Sequence, residues 1–187
     1  MSGSIEGLGP DTGRGHCVTT FSGQPFWPMD PRPEDIRLDD IAHALALQCR
    51  FNGAVMAFYS VAEHSVRLAK ALNFDRDLAR EALLHDAAEA YIGDLVRPVK
   101  AHCPDWCAID ARVDAAVRER FGLPPTMSDK VREADLRMLA TERRDLLAAQ
   151  ATEWRDLPEP YDFRIRAMGW VDSKALFLQF ADWLGVG

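Results

Sequence analysis

Leu83-Leu84-His85-Asp86-Ala87-Ala88-Glu89 sets a histidine beside an aspartate inside an apolar stretch, between Ala82 and Ala90. Burying that pair costs free energy unless something compensates it. Two compensations are open at this point. A backbone carbonyl and an arginine could satisfy the two side chains separately. A divalent metal could instead take both, since an imidazole nitrogen and a carboxylate oxygen are good ligands for mid-series ions. The stretch also decides the fold class. It reads as part of a helix from about 76 to 91, opened by Asp75 or Arg76 and ended by Gly93.

Helical signals continue on both sides. Upstream, Asp39 or Asp40 is expected to cap a helix of roughly 40–51, stopped by Asn52-Gly53. Ser60-Val61-Ala62-Glu63 has the form of a capping box and opens a helix of about 61–72, with Val61, Val66, Leu68, Ala69 and Leu72 on one face. Downstream, a short segment from Asp94 to His102 is bent by Pro98, and Pro104 stands near the start of a helix of about 104–121. Gly122-Leu-Pro-Pro breaks the chain, and Ser128 caps a long helix of about 129–150. Asp156 to Arg166 is irregular, and Asp172 caps a last amphipathic helix over 173–184 that ends at Gly185. Before all of these, His16 to Phe26 places β-favouring residues on either side of Ser22-Gly23, which predicts a short hairpin. Trp27 to Pro33 is too rich in proline for a helix and is expected to run extended, while residues 1–15 read as a flexible tail. The expectation is an all-α helical bundle with a short N-terminal β-hairpin, one domain over 16–187.

Composition narrows the function. The chain has 187 residues, 48% of them hydrophobic, and a formal charge of −7. That charge argues against a nucleic-acid polymer as partner, which needs a broad basic surface. No run of 18 apolar residues is present, and the N-terminus has no basic region followed by an apolar core. The expected setting is cytoplasmic, with no membrane partner. Cys17, Cys49, Cys103 and Cys107 are too few and scattered for a disulfide framework. His102, Cys103 and Cys107 lack the second ligand pair of a zinc site.

Further candidate ligands stand in other segments. His64 lies one residue after Glu63 in the first turns of its helix. Asp135 lies among Val131, Ala134, Leu136 and Met138, and Glu89 lies four residues beyond His85, so it is expected to project from the same helix face. The series runs His64, then His85-Asp86 after 21 residues, then Asp135 after another 49. In this it resembles the HD-domain metal-dependent phosphohydrolase superfamily, whose signature is H…HD…D. Tyr59-Ser-Val-Ala-Glu-His64-Ser, Leu84-His85-Asp-Ala-Ala-Glu89, Gly93-Asp94-Leu, Pro98-Val99-Lys100 and Glu133-Ala134-Asp135 are similar, in order, to the branch containing bacterial 5′-deoxynucleotidases. Arg50-Phe51 stands where that branch has an arginine-aromatic pair. Phe26-Trp27-Pro-Met-Asp-Pro-Arg-Pro-Glu-Asp-Ile36 also looks like the small phage members, some of which remove triphosphate from dATP. The resemblance covers roughly residues 18–140.

The resemblance implies a residue for each role. His64, His85, Asp86 and Asp135 would hold one divalent transition metal, with Co, Mn, Zn, Fe and Ni all compatible with two nitrogens and two or more oxygens. Glu89 would transfer a proton, and Asp94 would orient the water or the sugar hydroxyl. Arg50 would hold phosphate through its fork, with Lys100 second and Arg97 a further cation. Phe51, Ile92 and Trp27 would offer apolar surface to a nucleobase. The expected activity is hydrolysis of nucleotide phosphate esters, foremost of deoxynucleotides, with attack at the α-phosphorus. The alternative is a dNTP triphosphohydrolase, and a second is a non-catalytic scaffold that binds metal and nucleotide. The excess apolar surface of the last helix, and the family's habit, lead to an expected homo-oligomer.

Overall fold

A computed structural model describes residues 13–149, 154 and 156–187. It is mainly helical, with one two-stranded antiparallel hairpin, β1 (Val18–Thr19) and β2 (Pro25–Phe26), near the N-terminus. The helices are α1 (Leu38–Leu47), α2 (Val61–Ala71), α3 (Arg76–Leu84), α4 (Glu89–Ile92), α5 (Arg97–Lys100), α6 (Pro104–Phe121), α7 (Asp129–Leu146) and α8 (Trp170–Leu184). The predicted tail falls mostly on residues 1–12, which lie outside the described residues. The predicted helix of 129–150 ends earlier, at Leu146, because Leu147 is extended. No helix among the described residues is long and apolar enough to cross a membrane.

The centre of the fold is α2, which packs against α1, α3, α7 and α8. Every residue from Tyr59 to Val66 is buried. Four of them, Ser60, Glu63, His64 and Ser65, are buried polar residues, so partners must come from several sides. Ser65 Oγ donates to the Val61 carbonyl at 3.0 Å. Glu63 accepts from Arg67 Nε and Nη2 at 2.8 and 2.6 Å and from the Met168 N–H at 2.9 Å, which ties α2 to the segment leading into α8. His64 faces α7. The cap is therefore half of a capping box: Ser60 Oγ accepts from the Glu63 N–H at 3.0 Å, but the Glu63 carboxylate turns away to Arg67 and Met168.

Buried carboxylates fix the helices around α2. On α3, Glu81 accepts from the Ser128 N–H and Oγ, both at 2.7 Å, and lies 3.5 Å from Arg118 Nη1 of α6. One side chain thus sets the end of α3 against the start of α7. Beyond α7, Asp145 takes Arg144, Arg164 and the Ile165 N–H, anchoring the segment that leads to α8.

Several boundaries differ from the sequence expectation, each for a local reason. The first helix spans Leu38–Leu47, not 40–51, because Gln48 is extended and Cys49 pairs with Ser60 in an antiparallel bridge. Asp40 is no cap; its carboxylate accepts from the Ser22 N–H at 2.6 Å and Oγ at 3.0 Å and pins the hairpin to α1. The proline-rich stretch is not extended throughout. The Asp30 N–H reaches the Trp27 carbonyl at 3.1 Å, and Pro33–Asp35 forms a 3-10 turn, where a leading proline costs no hydrogen bond. The last helix starts at Trp170, with Asp172 inside its first turn. The largest change is at the central stretch. The helix of 76–91 is two helices, and His85 to Ala88 is the turn between them.

Candidate metal centre

The break after Leu84 shapes the site. From Leu84 to Tyr91 the backbone bonds run from residue i+3 back to i: Ala87 to Leu84 at 3.0 Å, Glu89 to Asp86 at 3.0 Å, Ala90 to Ala87 at 3.2 Å and Tyr91 to Ala88 at 3.0 Å. This tighter winding turns residues by about 120° each instead of 100°. Glu89 therefore does not share His85's face through helical spacing, as a continuous helix would require. His85 caps α3, and its Nδ1 lies 2.8 Å from the Ala82 carbonyl. A carbonyl only accepts, so Nδ1 carries the hydrogen and Nε2 is turned inward.

His64 is held in the same sense. Its Nδ1 lies 2.6 Å from Glu142 Oε1, and both side chains are fully buried. Its Nε2 faces His85 Nε2 at 3.3 Å. Asp135 of α7 brings Oδ1 to 3.2 Å from His64 Nε2 and 3.9 Å from His85 Nε2. Asp86 brings Oδ2 to 3.2 Å from His85 Nε2 and 3.8 Å from His64 Nε2. Ligands about 2.1 Å from one ion, at octahedral or tetrahedral angles, stand about 3.0–3.4 Å apart. Three of these separations fall in that range, and two lie slightly beyond it. His64, His85 and Asp135 offer ligand atoms that all lie within 4.8 Å of one another, the arrangement that can hold a metal ion. The donor set of two imidazole nitrogens and carboxylate oxygens suits a divalent ion.

Electrostatics of the centre reflect this crowding. Burial disfavours the imidazolium of His85, but Asp86 beside it wins and raises its pKa to about 9. His64 is raised as well: burial and Arg50 oppose its charge, and Glu142 and Asp135 outweigh them. Burial would lift Asp135, yet the hydrogen bond and charge of His64 bring it down to about 2. The sign of the pH dependence follows. Without metal, the two protonated histidines stabilise the fold fully below their ordinary value of about 6.5; His85's share is lost as pH rises through about 9, and His64's share is likewise lost above its ordinary value. Metal requires both Nε2 atoms free of protons, so its apparent affinity rises over the same interval. We expect the upward shift of Tm on adding Mn²⁺ to be larger at pH 8.5 than at pH 6, read by thermal denaturation with and without the ion. An equal shift at both values, or a larger one at pH 6, would contradict this assignment of the histidines.

Arg50 is drawn into the same cluster. The loop from 50 to 59 is pinched at its base, where Arg50 N–H bonds to the Tyr59 carbonyl at 2.9 Å and Val61 N–H to the Gln48 carbonyl at 3.0 Å. This brings Arg50 beside the start of α2. Its Nε and Nη2 reach Glu142 Oε2 at 3.2 and 3.1 Å, and Nη1 reaches Asp86 Oδ2 at 3.4 Å. Phe51 and Asn52 follow with φ of 54° and 52°, a left-handed conformation uncommon outside glycine, and the Arg50 guanidinium lies 5.6 Å from the Phe51 ring centre.

Glu89 is half-buried, and burial first, then the charges of Asp86 and Asp94, push its pKa well above the ordinary carboxyl value. Asp94 is exposed after Gly93, whose φ of 72° ends α4. Lys100 is committed elsewhere: its Nζ lies 3.0 Å from Asp110, 3.8 Å from Asp94 and 4.5 Å from the centre of the Trp106 ring. Ile92 is partly buried against the core, and Arg97 is exposed at the start of α5. Trp27 lies under the Arg14 guanidinium, 4.0 Å away, and Arg14 is itself bonded to Asp30 and Asp35 in the N-terminal strap. Cys103 and Cys107 are free thiols.

Sequence reasoning missed Glu142. It stands seven residues after Asp135, two turns on along the same face of α7, and that spacing was the available signal.

No protein-family model matches the chain. It is 44% identical over 137 residues to the uncharacterized protein YfdR of Escherichia coli K12, a match covering 73% of this chain and 76% of YfdR. It is also 39% identical over 122 residues to an uncharacterized protein of Rhodobacter capsulatus, covering 61% of this chain and 62% of that protein. At that identity, and over three quarters of YfdR's length, the chain belongs to the YfdR family.

Proposed function

We propose that this protein is a metal-dependent phosphohydrolase of nucleotides, with deoxynucleotides as its foremost substrates. The observation that carries the reading is the convergence of His64 and His85 Nε2 with Asp86 and Asp135, while both Nδ1 atoms are anchored outward on Glu142 and Ala82. A divalent transition metal held there supplies a Lewis acid for a phosphoryl oxygen and lowers the pKa of water. The chain's own residues do the rest. Arg50, held by Glu142 and Asp86, keeps further N–H groups on Nη1 and Nη2 that suit a phosphate oxygen. Burial, then the charges of Asp86 and Asp94, raise the Glu89 carboxyl well above its ordinary value, which suits it to donate a proton to the leaving 5′ oxygen. Asp94, beyond it, orients the sugar, and Phe51 and Ile92 give the base an apolar wall.

Product analysis tests the reading. Protein with added Mn²⁺ or Co²⁺ is incubated with dAMP and, separately, with dATP, and products are resolved by ion exchange. Free phosphate from dAMP supports the nucleotidase reading. Triphosphate and deoxyadenosine from dATP would instead assign a triphosphohydrolase with the same residues. Glu89→Ala is expected to lower kcat about 10²-fold or more, the usual worth of a positioned proton donor. If no nucleotide of a panel turns over with any divalent metal, the enzyme reading fails.

A further inference from the structure

We infer that Glu142 is a positioning residue that couples the metal centre to the anion-binding arginine, holding His64 with one carboxylate oxygen and Arg50 with the other. The inference rests on the function proposed above. Glu142 contacts the outer nitrogen of His64, Nδ1, rather than the inward-facing Nε2, and otherwise Arg50, so its influence passes through these two partners.

The geometry separates the two oxygens. Oε1 lies 2.6 Å from His64 Nδ1, and Oε2 lies 3.2 and 3.1 Å from Arg50 Nε and Nη2. An arginine-carboxylate pair serving only stability commonly spends both oxygens on one fork. Here the carboxylate is divided between two residues that the chemistry needs separately. A histidine whose outer N–H meets a carboxylate is fixed in orientation and made a stronger metal ligand. An arginine held by a buried carboxylate keeps its guanidinium at one place. Arg50 also reaches Asp86 Oδ2 at 3.4 Å, so it shares two carboxylates with the metal centre. Cation and metal ion thus draw on the same negative charge. Binding at either position alters affinity at the other, and that coupling is reciprocal.

Glutamine at this position has nearly the same volume but one acceptor oxygen and one amide donor. It can accept from His64 only by turning its NH₂ toward Arg50, or accept from Arg50 only by presenting NH₂ to His64 Nδ1. It cannot serve both partners. The experiment therefore titrates wild type and E142Q with Mn²⁺, and then titrates the Mn²⁺-loaded proteins with inorganic phosphate, by calorimetry, with circular dichroism as a check on folding. Expected for E142Q are Mn²⁺ affinity weakened about 10–100-fold and phosphate affinity weakened about 10-fold or more. A folded E142Q that keeps both affinities, or loses only one, overturns the inference. If E142Q does not fold, R50A decides. Removing the guanidinium frees charge on Glu142 and Asp86, so Mn²⁺ without phosphate should bind about threefold tighter or more. Unchanged or weaker Mn²⁺ binding in R50A overturns the inference. A wild type that binds no Mn²⁺ removes the proposed function and this inference together, whereas normal wild-type binding with an unaffected E142Q removes the inference alone.

Discussion

Asp86→Ala is expected to abolish metal-dependent turnover while leaving the protein folded. Asp86 Oδ2 is the oxygen nearest His85 Nε2, at 3.2 Å, and it also faces His64 Nε2 and Arg50 Nη1. Removing it takes a carboxylate from beside His64, His85 and Asp135, the group that can hold a metal ion. It also removes the main influence that raises His85. Losing metal-based charge stabilisation of several kcal/mol corresponds to a fall in kcat/KM of about 10³-fold or more. The metal-free fold also loses the support that Asp86 gives to protonated His85 and to Arg50, a cost that is partly offset. Asp86 is partly exposed, and its loss relieves repulsion with Asp135 while it releases His85 and Arg50. Steady-state kinetics and a thermal melt of the metal-free variant check both halves. Wild-type turnover in Asp86→Ala would remove it from the metal centre. A gross loss of folding would make its role structural.

Glu81→Ala is expected to do the reverse, lowering stability while leaving the ligand chemistry intact. The Glu81 side chain is 2% exposed, and its carboxylate satisfies the Ser128 N–H and Oγ and faces Arg118. Alanine would leave Ser128 unsatisfied at the start of α7. Arg118 would keep Asp114 at 2.7 Å and the Pro124 carbonyl at 2.9 Å, which moderates the loss. Removing one partner of a buried pair costs about 3–5 kcal/mol, and the lower end applies here. For a chain of this size that is a fall in Tm of about 6–12 °C. Since α7 carries Asp135 and Glu142, we also expect the variant's residual activity to be lost at lower temperature than that of wild type. Thermal denaturation followed by circular dichroism measures the shift. A change under about 2 °C would mean that Glu81 does not set α3 against α7.

Local signals explain which parts of this architecture could be read from the chain. The bounds of α6 are legible because Pro104 and Gly122 act on their own neighbours, one at the first turn and one in the left-handed conformation after the last. Ser60, Asp75 and Ser128 cap as expected for the same reason. The hairpin is legible from Ser22-Gly23, and Gly23 takes the positive φ the turn needs. The spacing of His64, His85-Asp86 and Asp135 brought the candidate ligands to attention, and the fold places ligand atoms of His64, His85 and Asp135 together, with Asp86 Oδ2 beside His85.

What escaped reading is non-local. Nothing between Leu83 and Ala90 discourages a helix, so the turn at His85 is imposed by tertiary packing rather than by any breaker residue. The early end of α1 comes from the pairing of Cys49 with Ser60 across a loop, which no neighbouring residue announces. Asp39 and Asp40 look like caps, yet Asp40 serves the hairpin. Glu142 sits among Arg143, Arg144 and Asp145 and reads as one charge in a solvated run. Only the register with Asp135 separates it from them.

His64, His85, Asp86 and Asp135 are expected to form one metal centre. Anomalous diffraction from crystals grown with Mn²⁺ tests that directly. The predicted result is a single strong peak bonded to Nε2 of both histidines and to oxygens of Asp86 and Asp135, about 2.0–2.2 Å from each. No peak there, or a metal held by other side chains, would contradict the account.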